Sequence, residues 1–345
     1  MNRIEKLMKA LPEGADAALI TSDVNRRYFT LDRSSAASDV YKRQVAKATV
    51  TGAEVILQDK LYDQLGELLK KHGARTVAIE TDYITVGSLE QYRSRLPQVE
   101  FLTAAALNDK ILEMRSLKDE EEIAAIRKAQ SITDAAFLEI LDFIKPGKTE
   151  KEVAAYLEYC MRRLGADGLA FETIAAGGPN SAKPHAVPGD RPLRQGDFFT
   201  MDYGAYWGGY CSDMTRTVAV GEPTEEMRRV YDTVLAAQLL GIEKAVVGAS
   251  CRAVDAAARE LIYNAGYEGC FGHSLGHSVG IEIHEMPGFS PSIAPETTAK
   301  EGMVITVEPG IYLEGRFGVR IEDMVWLAPD GTKDLTNSPK ELIIL

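Results

Sequence analysis

The chain has 345 residues, 45% of them hydrophobic and 26% charged, with a formal net charge of −12. This is an ordinary soluble globular composition, long enough for two domains with separate cores. The acidic balance argues against nucleic acid or an anionic membrane as the main partner, and no apolar run reaches the ~20 residues of a membrane span.

Residues 1–115 alternate between helix and strand signals. The opening MNRIEKLMKALPEG starts an amphipathic helix, Ile4 to Leu11, and has no apolar signal core. Ala17 to Thr21 reads as a short strand and Lys60 to His72 as an amphipathic helix carrying Leu61, Leu65, Leu68 and Leu69 on one side. Thr76 to Glu80 is a strand, Val86 to Leu96 a helix and Val99 to Leu102 a strand, which together predict a small α/β domain. No Gly-rich phosphate loop or catalytic cluster stands out in it. Arg33 to Gln44, RSSAASDVYKRQ, has neither period; it reads either as an exposed loop or as foreign sequence replacing part of the domain.

The domain boundary falls near Met114–Ser116, giving units 1–115 and 116–345. Ser116 with Asp119 suits a helix N-cap box, and the acidic run Asp119 to Glu122 suits the positive end of a helix dipole. An amphipathic helix then runs to about Phe143. Gly147, Val153 and Gly165 recur as Gly248, Val254 and Gly266, always 101 positions later, which suggests an internal duplication with a site between its halves. Cys160, Cys211, Cys251 and Cys270 lack CxxC spacing and read as reduced thiols of a cytosolic protein, not as disulfides or a zinc-thiolate site.

The chemistry concentrates in the second section. Phe198 to Tyr206 and Tyr210 to Val220 read as the two strands of a hairpin turning at Trp207-Gly208-Gly209. With Trp207 and Gly208 as the central pair, Asp202 falls opposite Asp213. Like charges so placed repel and call for a shared proton or a cation. Met303 to Tyr312 and Gly318 to Trp326 are two apolar strands carrying Glu308 and Glu322, and a turn at Gly315 sets those acids opposite each other. A solvent face remains open for Glu322, which adjoins Asp323; Glu308, between Val307 and Pro309, suits burial with a partner or metal. Of five histidines, His72 stands alone, whereas His185, His273, His277 and His284 all lie in the second section, three of them within GHSLGHSVGIEIHEMP. Four carboxylates and an imidazole suit a pair of divalent cations, manganese first and cobalt, iron or zinc as alternatives. Two such ions can hold a bridging hydroxide at neutral pH.

MDYGA, SDMTRT, GHSLGHSVGIEIHEMP, VEPGIY and VRIED together resemble the dinuclear-metal pita-bread peptidases, and within them the Xaa-Pro peptidases, aminopeptidase P and prolidase. The resemblance covers about Ser116 to Leu345. It implies an α+β C-terminal pita-bread (creatinase/aminopeptidase) fold with an internal pseudo-twofold, preceded by a small α/β creatinase-like domain. Arg33 to Gln44 departs from the pattern, where the family has a strand hairpin.

The resemblance makes Asp202, Asp213, His277, Glu308 and Glu322 the metal ligands, with Asp213 and Glu322 bridging. Asp202 completes one ion's set, and His277 with Glu308 the other's. It makes Glu308 a proton shuttle to the leaving proline nitrogen, and His284 a hydrogen-bond donor to the scissile carbonyl. It sets His185 and His273 in the substrate pocket, and gives Arg320 the task of orienting Glu308 or its neighbours. The implied activity is a metallo-exopeptidase acting at Xaa-Pro bonds of peptide N-termini. Xaa-Pro dipeptidase is the alternative, and a non-catalytic scaffold on the same fold is the reading from another class. The implied partner is a peptide with proline at its second position, and the implied assembly a homodimer.

Overall fold

The computed structural model describes residues 2–30, 50, 54–56 and 58–345. Arg33 to Gln44 lies outside the described residues. The chain divides into two compact units, Met1–Arg115 and Ser116–Leu345.

The first unit holds a parallel three-stranded sheet, β1 (Ala17–Leu19), β2 (Thr76–Ile79) and β3 (Glu100–Leu102), in the order β1-β2-β3. Val77, Ile79 and Phe101 bury against Leu69 of the Leu61–Lys71 helix and Tyr92 of the Val86–Arg95 helix. This is the apolar-strand, amphipathic-helix pattern of an α/β layer. Two helices the sequence reading did not place, Asp23–Thr30 and Ala106–Ser116, also belong to this stretch. The first begins beside buried Glu80, whose carboxylate accepts from Ser22 N at 2.9 Å and Asn25 Nδ2 at 2.7 Å.

In the second unit, the Glu120–Ile140 helix is capped by Asp119 and Glu122 in a reciprocal box. The cap is therefore Asp119, not Ser116, because Ser116 still closes the preceding helix. The Glu150–Arg163 helix begins the same way, from Thr149 and Glu152. These two helices cover one face of the antiparallel sheet β5-β6-β9, formed by Ile174–Gly177, Asp197–Tyr203 and Met214–Val220. Phe199, Met201 and Tyr203 alternate along β6 into that core, meeting Phe137, Leu157 and Met161. Short strands β4 (Gly168–Leu169), β7 (Ala205–Trp207) and β8 (Tyr210–Cys211) extend it.

The second half repeats the plan. The Glu225–Lys244 and Cys251–Ile262 helices cover a sheet ordered β11-β10-β12-β15-β16. Its strands are Glu285–Phe289, Gly276–Ser278, Val304–Val307, Asp323–Ala328 and Gly331–Asp334. Ile305 and Val307 of β12 alternate into this core against Val230, Val234 and Val254. A two-stranded ribbon, β13 (Gly310–Leu313) and β14 (Phe317–Arg320), follows β12.

Backbone bonds carry the duplication. Gly147 N donates to Leu193 O at 2.9 Å and Leu193 N to Lys148 O at 2.8 Å. In the second copy Gly248 N donates to Ala299 O at 2.8 Å and Ala299 N to Ala249 O at 2.9 Å. Thr149 bridges Pro192 as Ser250 bridges Thr298. Gly147 and Gly248 have φ of 93° and 88°, a left-handed turn that glycine adopts at least cost. Because strand side chains alternate with a period of two, Asp202 lies on the face of β6 away from the Phe199 core. Glu308, just after β12, continues the Val304–Thr306 face away from Ile305 and Val307. The two carboxylates therefore project from equivalent faces of the two halves.

Candidate metal centre

The first acidic hairpin corrects the expected register. Its turn centres on Gly208-Gly209, with φ of 60° and 98°, and Trp207 pairs with Tyr210. Two positive φ angles in a two-residue turn suit a Gly-Gly pair and exclude Trp at low cost. Asp202 consequently pairs with Thr215, not Asp213. Asp213 sits just ahead of β9, in a break where a Cβ on Gly204 would lie 1.8 Å from the Ser212 carbonyl oxygen. Glycine at 204 lets the two chains approach there.

The second hairpin keeps the expected register. Val304–Val307 pairs with Asp323–Trp326, and Gly310–Leu313 with Phe317–Arg320, in one continuous alignment. The strands expected to be unbroken are each interrupted at the acids. Pro309 has no N–H to give the ladder, and Glu308 and Glu322 fall opposite each other in the gap. Glu322 and Asp323 are both buried, which removes the solvent-face reading of Glu322.

His277 comes from β10. Its Nδ1 lies 3.1 Å from Ser278 O, so Nδ1 carries the proton and Nε2 presents a lone pair. That Nε2 faces Asp213 Oδ2 and Glu308 Oε1, both at 3.5 Å. Ligand atoms of Asp213, His277 and Glu322 lie within 4.8 Å of one another. Burial lowers the pKa of His277, keeping the ring neutral at neutral pH. A lone pair aimed at carboxylate oxygens is repulsive without a cation between them.

The acids show the same strain. Burial, then the charges of Asp202 and Glu308, pushes Asp213 well above the usual carboxylate range. Burial, then Asp213 and Glu308, does so for Glu322. Glu308 is raised to about 7, mainly by burial. Asp202 Oδ1 is buried without a hydrogen-bond partner. An orphaned carboxylate oxygen beside crowded acids and an imidazole lone pair fits cationic ligation by hard oxygen donors with one nitrogen.

A shell of neutral donors and one guanidinium holds these groups. Thr215 Oγ1 donates to Glu322 Oε2 at 2.6 Å and accepts from Arg320 Nε at 3.0 Å. Arg320 also donates to Asp202 Oδ2 at 2.6 Å and to Tyr312 OH at 2.8 Å. Its described bonds thus reach Asp202, whereas Glu308 is held by Thr306 Oγ1 at 3.0 Å. Thr306 Oγ1 in turn accepts from His277 N at 3.0 Å. His273 Nδ1 lies 2.8 Å from Ser274 O and its Nε2 2.8 Å from Tyr312 OH. The proton order is therefore Arg320 to Tyr312 to His273 to the Ser274 carbonyl. Burial lowers the His273 pKa to about 3, consistent with that neutral tautomer. Thr215, Thr306 and Tyr312 were not assigned from sequence, although Thr215 lies in SDMTRT and Tyr312 in VEPGIY.

A cleft of about 530 Å³ opens on this cluster, lined by Asp202, Asp213, His277, Glu308, Glu322 and Arg320. His185, His273 and His284 line it too, with Phe171, Ile174, Ile283, Met286 and Ile293 supplying apolar walls. The His284 ring meets that of His277 edge to face at 4.4 Å between centroids. Burial, then the neighbouring His277, lowers its pKa. Arg320 Nη1 donates to Pro184 O at 3.3 Å, which ties the segment bearing His185 to the acid cluster.

A duplicated α+β unit with acids and an imidazole gathered between its halves is the pita-bread fold. The chain belongs to metallopeptidase family M24, whose profile matches residues 124–329, and residues 1–116 match the creatinase/prolidase N-terminal domain. The family implies divalent metal ions. The chain is 39% identical to the Xaa-Pro dipeptidase of Pyrococcus furiosus, over 99% of each chain. The Xaa-Pro dipeptidase from Bacillus anthracis superposes with a TM-score of 0.93 at 39% identity, covering 99% of each chain. The X-Pro aminopeptidase from Thermotoga maritima MSB8 gives 0.91 at 35% identity, covering 99% of this chain and all of that one.

Proposed function

We propose that this protein is a metallo-exopeptidase that hydrolyses Xaa-Pro bonds at peptide N-termini, with Asp202, Asp213, His277, Glu308 and Glu322 holding two divalent cations. One observation carries the reading: Asp202 Oδ1 is orphaned in a buried cluster where a neutral imidazole lone pair faces two carboxylates. Manganese is the metal preferred on this donor set, and cobalt, zinc and iron suit it less closely. When bound, a cation pair lowers the pKa of a shared water and polarises the scissile carbonyl.

The chain's own residues do the rest. Glu308, held by Thr306 Oγ1 and lining the cleft, is placed to take a proton and pass it to the leaving proline nitrogen. His284 donates to the scissile carbonyl oxygen as negative charge develops there. Arg320 and Thr215 hold Asp202 and Glu322 in place. His185 and His273 line the pocket, with His273 fixed through Tyr312. A bond before proline is a tertiary amide without N–H, so recognition through the carbonyl and an apolar wall suits it.

Activity on dipeptides is a second reading, favoured by the identity to the Pyrococcus furiosus Xaa-Pro dipeptidase. Incubating manganese-loaded protein with Gly-Pro and with a longer Xaa-Pro-Xaa peptide separates the two. Cleavage of the longer peptide is expected; cleavage of Gly-Pro alone overturns the aminopeptidase reading. A scaffold role predicts no bound divalent metal after reconstitution, whereas the five-donor cluster predicts two ions. The first unit acts in this reading as a creatinase-like domain, 1–115, ahead of the catalytic domain, 116–345. The protein works as a cytoplasmic homodimer; among the described residues no helix is long and apolar enough to cross a membrane.

A further inference from the structure

We propose that the buried ion pair between Lys118 and Glu285 positions His284, an inference resting on the role of His284 given above. Lys118 Nζ lies 3.1 Å from Glu285 Oε2, with side chains 1% and 3% exposed. Glu285 opens β11, where neighbouring side chains point to opposite faces. His284 and Met286 face the cleft, and Glu285 points the other way.

The loop bearing His284 is wrapped round that carboxylate. Glu282 N donates to Glu285 Oε1 at 3.3 Å. Gly280 N donates to Glu282 O at 3.0 Å, and Cys211 N donates to Gly280 O at 2.8 Å. A Cβ on Gly280 would meet the Glu285 carboxylate oxygens at 2.5 and 2.7 Å, so only glycine leaves room for the buried acid. Lys118 is itself fixed, because its N–H donates to Gly302 O at 2.9 Å and the next residue caps the Glu120–Ile140 helix. Glu285 pairs across the ladder with Ser278, next to His277. The ion pair therefore sets the height of His284 against His277 from behind the strand.

Buried ion pairs are often neutral or unfavourable for stability beside apolar replacements of similar volume, whereas removing one partner strands a charge. A pair kept here fits a geometric role. Lys118→Met and Glu285→Gln should each lower kcat roughly tenfold or more, with KM and bound metal within about twofold of wild type. The double variant Lys118→Met with Glu285→Gln removes both charges, so it should fold like wild type yet keep the low kcat; it decides the matter if the single variants fail to fold. Histidine NMR of the Zn2+-supplemented protein gives a readout independent of turnover. The His284 ring resonance, assigned with His284→Gln, should shift or broaden in the double variant, with a smaller shift at His277, whose ring it meets edge to face. An unmoved His284 resonance in the double variant overturns the proposal, whether or not the wild type cleaves Xaa-Pro peptides. So does a wild-type kcat in the double variant of an active enzyme.

Discussion

The two acidic hairpins occupy equivalent places in the duplicated unit but break their ladders differently. In the first, one continuous alignment runs from the Asp197–Val220 pair to the Gly208-Gly209 turn; the interrupted rung is that of Gly204 and Asp213, and Asp202 stays within the ladder opposite Thr215. In the second, Pro309 interrupts pairing in an equally continuous alignment, and both acids, Glu308 and Glu322, share the interrupted rung. A regular ladder would aim such acids at rungs and bury them in pairs. The ladder is interrupted at Asp213 in one half and at Glu308 and Glu322 in the other, while Asp202 reaches the cluster from within its strand.

The comparison predicts matched and unmatched losses. Asp213→Ala and Glu322→Ala should both abolish turnover and strip bound metal if, as proposed, each would be shared by the two ions; retained turnover in either, measured beside its metal content, would break the symmetry. Asp202→Asn and Glu308→Gln should differ, because Glu308 also carries a proton. Glu308→Gln should lose the greater share of kcat at equal metal occupancy, and equal losses would return Glu308 to a purely ligating role. His284→Ala should lower kcat by about 10²-fold while metal content, read by elemental analysis, holds. Thr215→Val should weaken metal affinity by about 10- to 100-fold through the lost bond to Glu322 Oε2.

The smallest effect is on stability. In the metal-free protein the Asp213, Glu308 and Glu322 carboxyls are raised above their ordinary values. The folded state then binds more protons than the unfolded one, so this stability is present below the ordinary carboxylate range and is lost as pH rises through about 7 for Glu308. His273, His277 and His284 act with the opposite sign, since their lowered pKa values add stability as pH rises past the ordinary imidazole range. Comparison with Glu308→Gln isolates the acid: the metal-free wild type should lose Tm relative to that variant, by roughly 5 °C between pH 5 and pH 8. A Tm difference between wild type and Glu308→Gln that stays constant over this window would contradict the crowding of acids.

Much of the fold was legible because its signals are local. Asp119 and Glu122 announce a helix start, although Ser116 drew the cap three residues early by mimicking the same box. An acid inside an apolar strand marked Glu308 as costly to bury without a partner, whereas Asp202 was singled out by an expected opposition to Asp213 that the register does not keep. The 101-residue repeat was legible from glycines whose left-handed turns recur as matched hydrogen bonds. The first register was not, because a turn on Gly208-Gly209 and a turn on Trp207-Gly208 differ only by which residues take positive φ. The supporting roles of Thr215, Thr306, Tyr312 and Lys118 were not legible either. Each acts on a residue far away in the chain or through a single hydroxyl that sequence pattern does not distinguish from an exposed one.

The most direct test of the two-ion centre is an anomalous-difference map from crystals of the manganese-loaded protein. Two peaks are expected, one beside Asp202 and one beside His277 and Glu308, both in reach of Asp213 and Glu322. No peak among these five residues, or a pair bound elsewhere, would contradict the assignment.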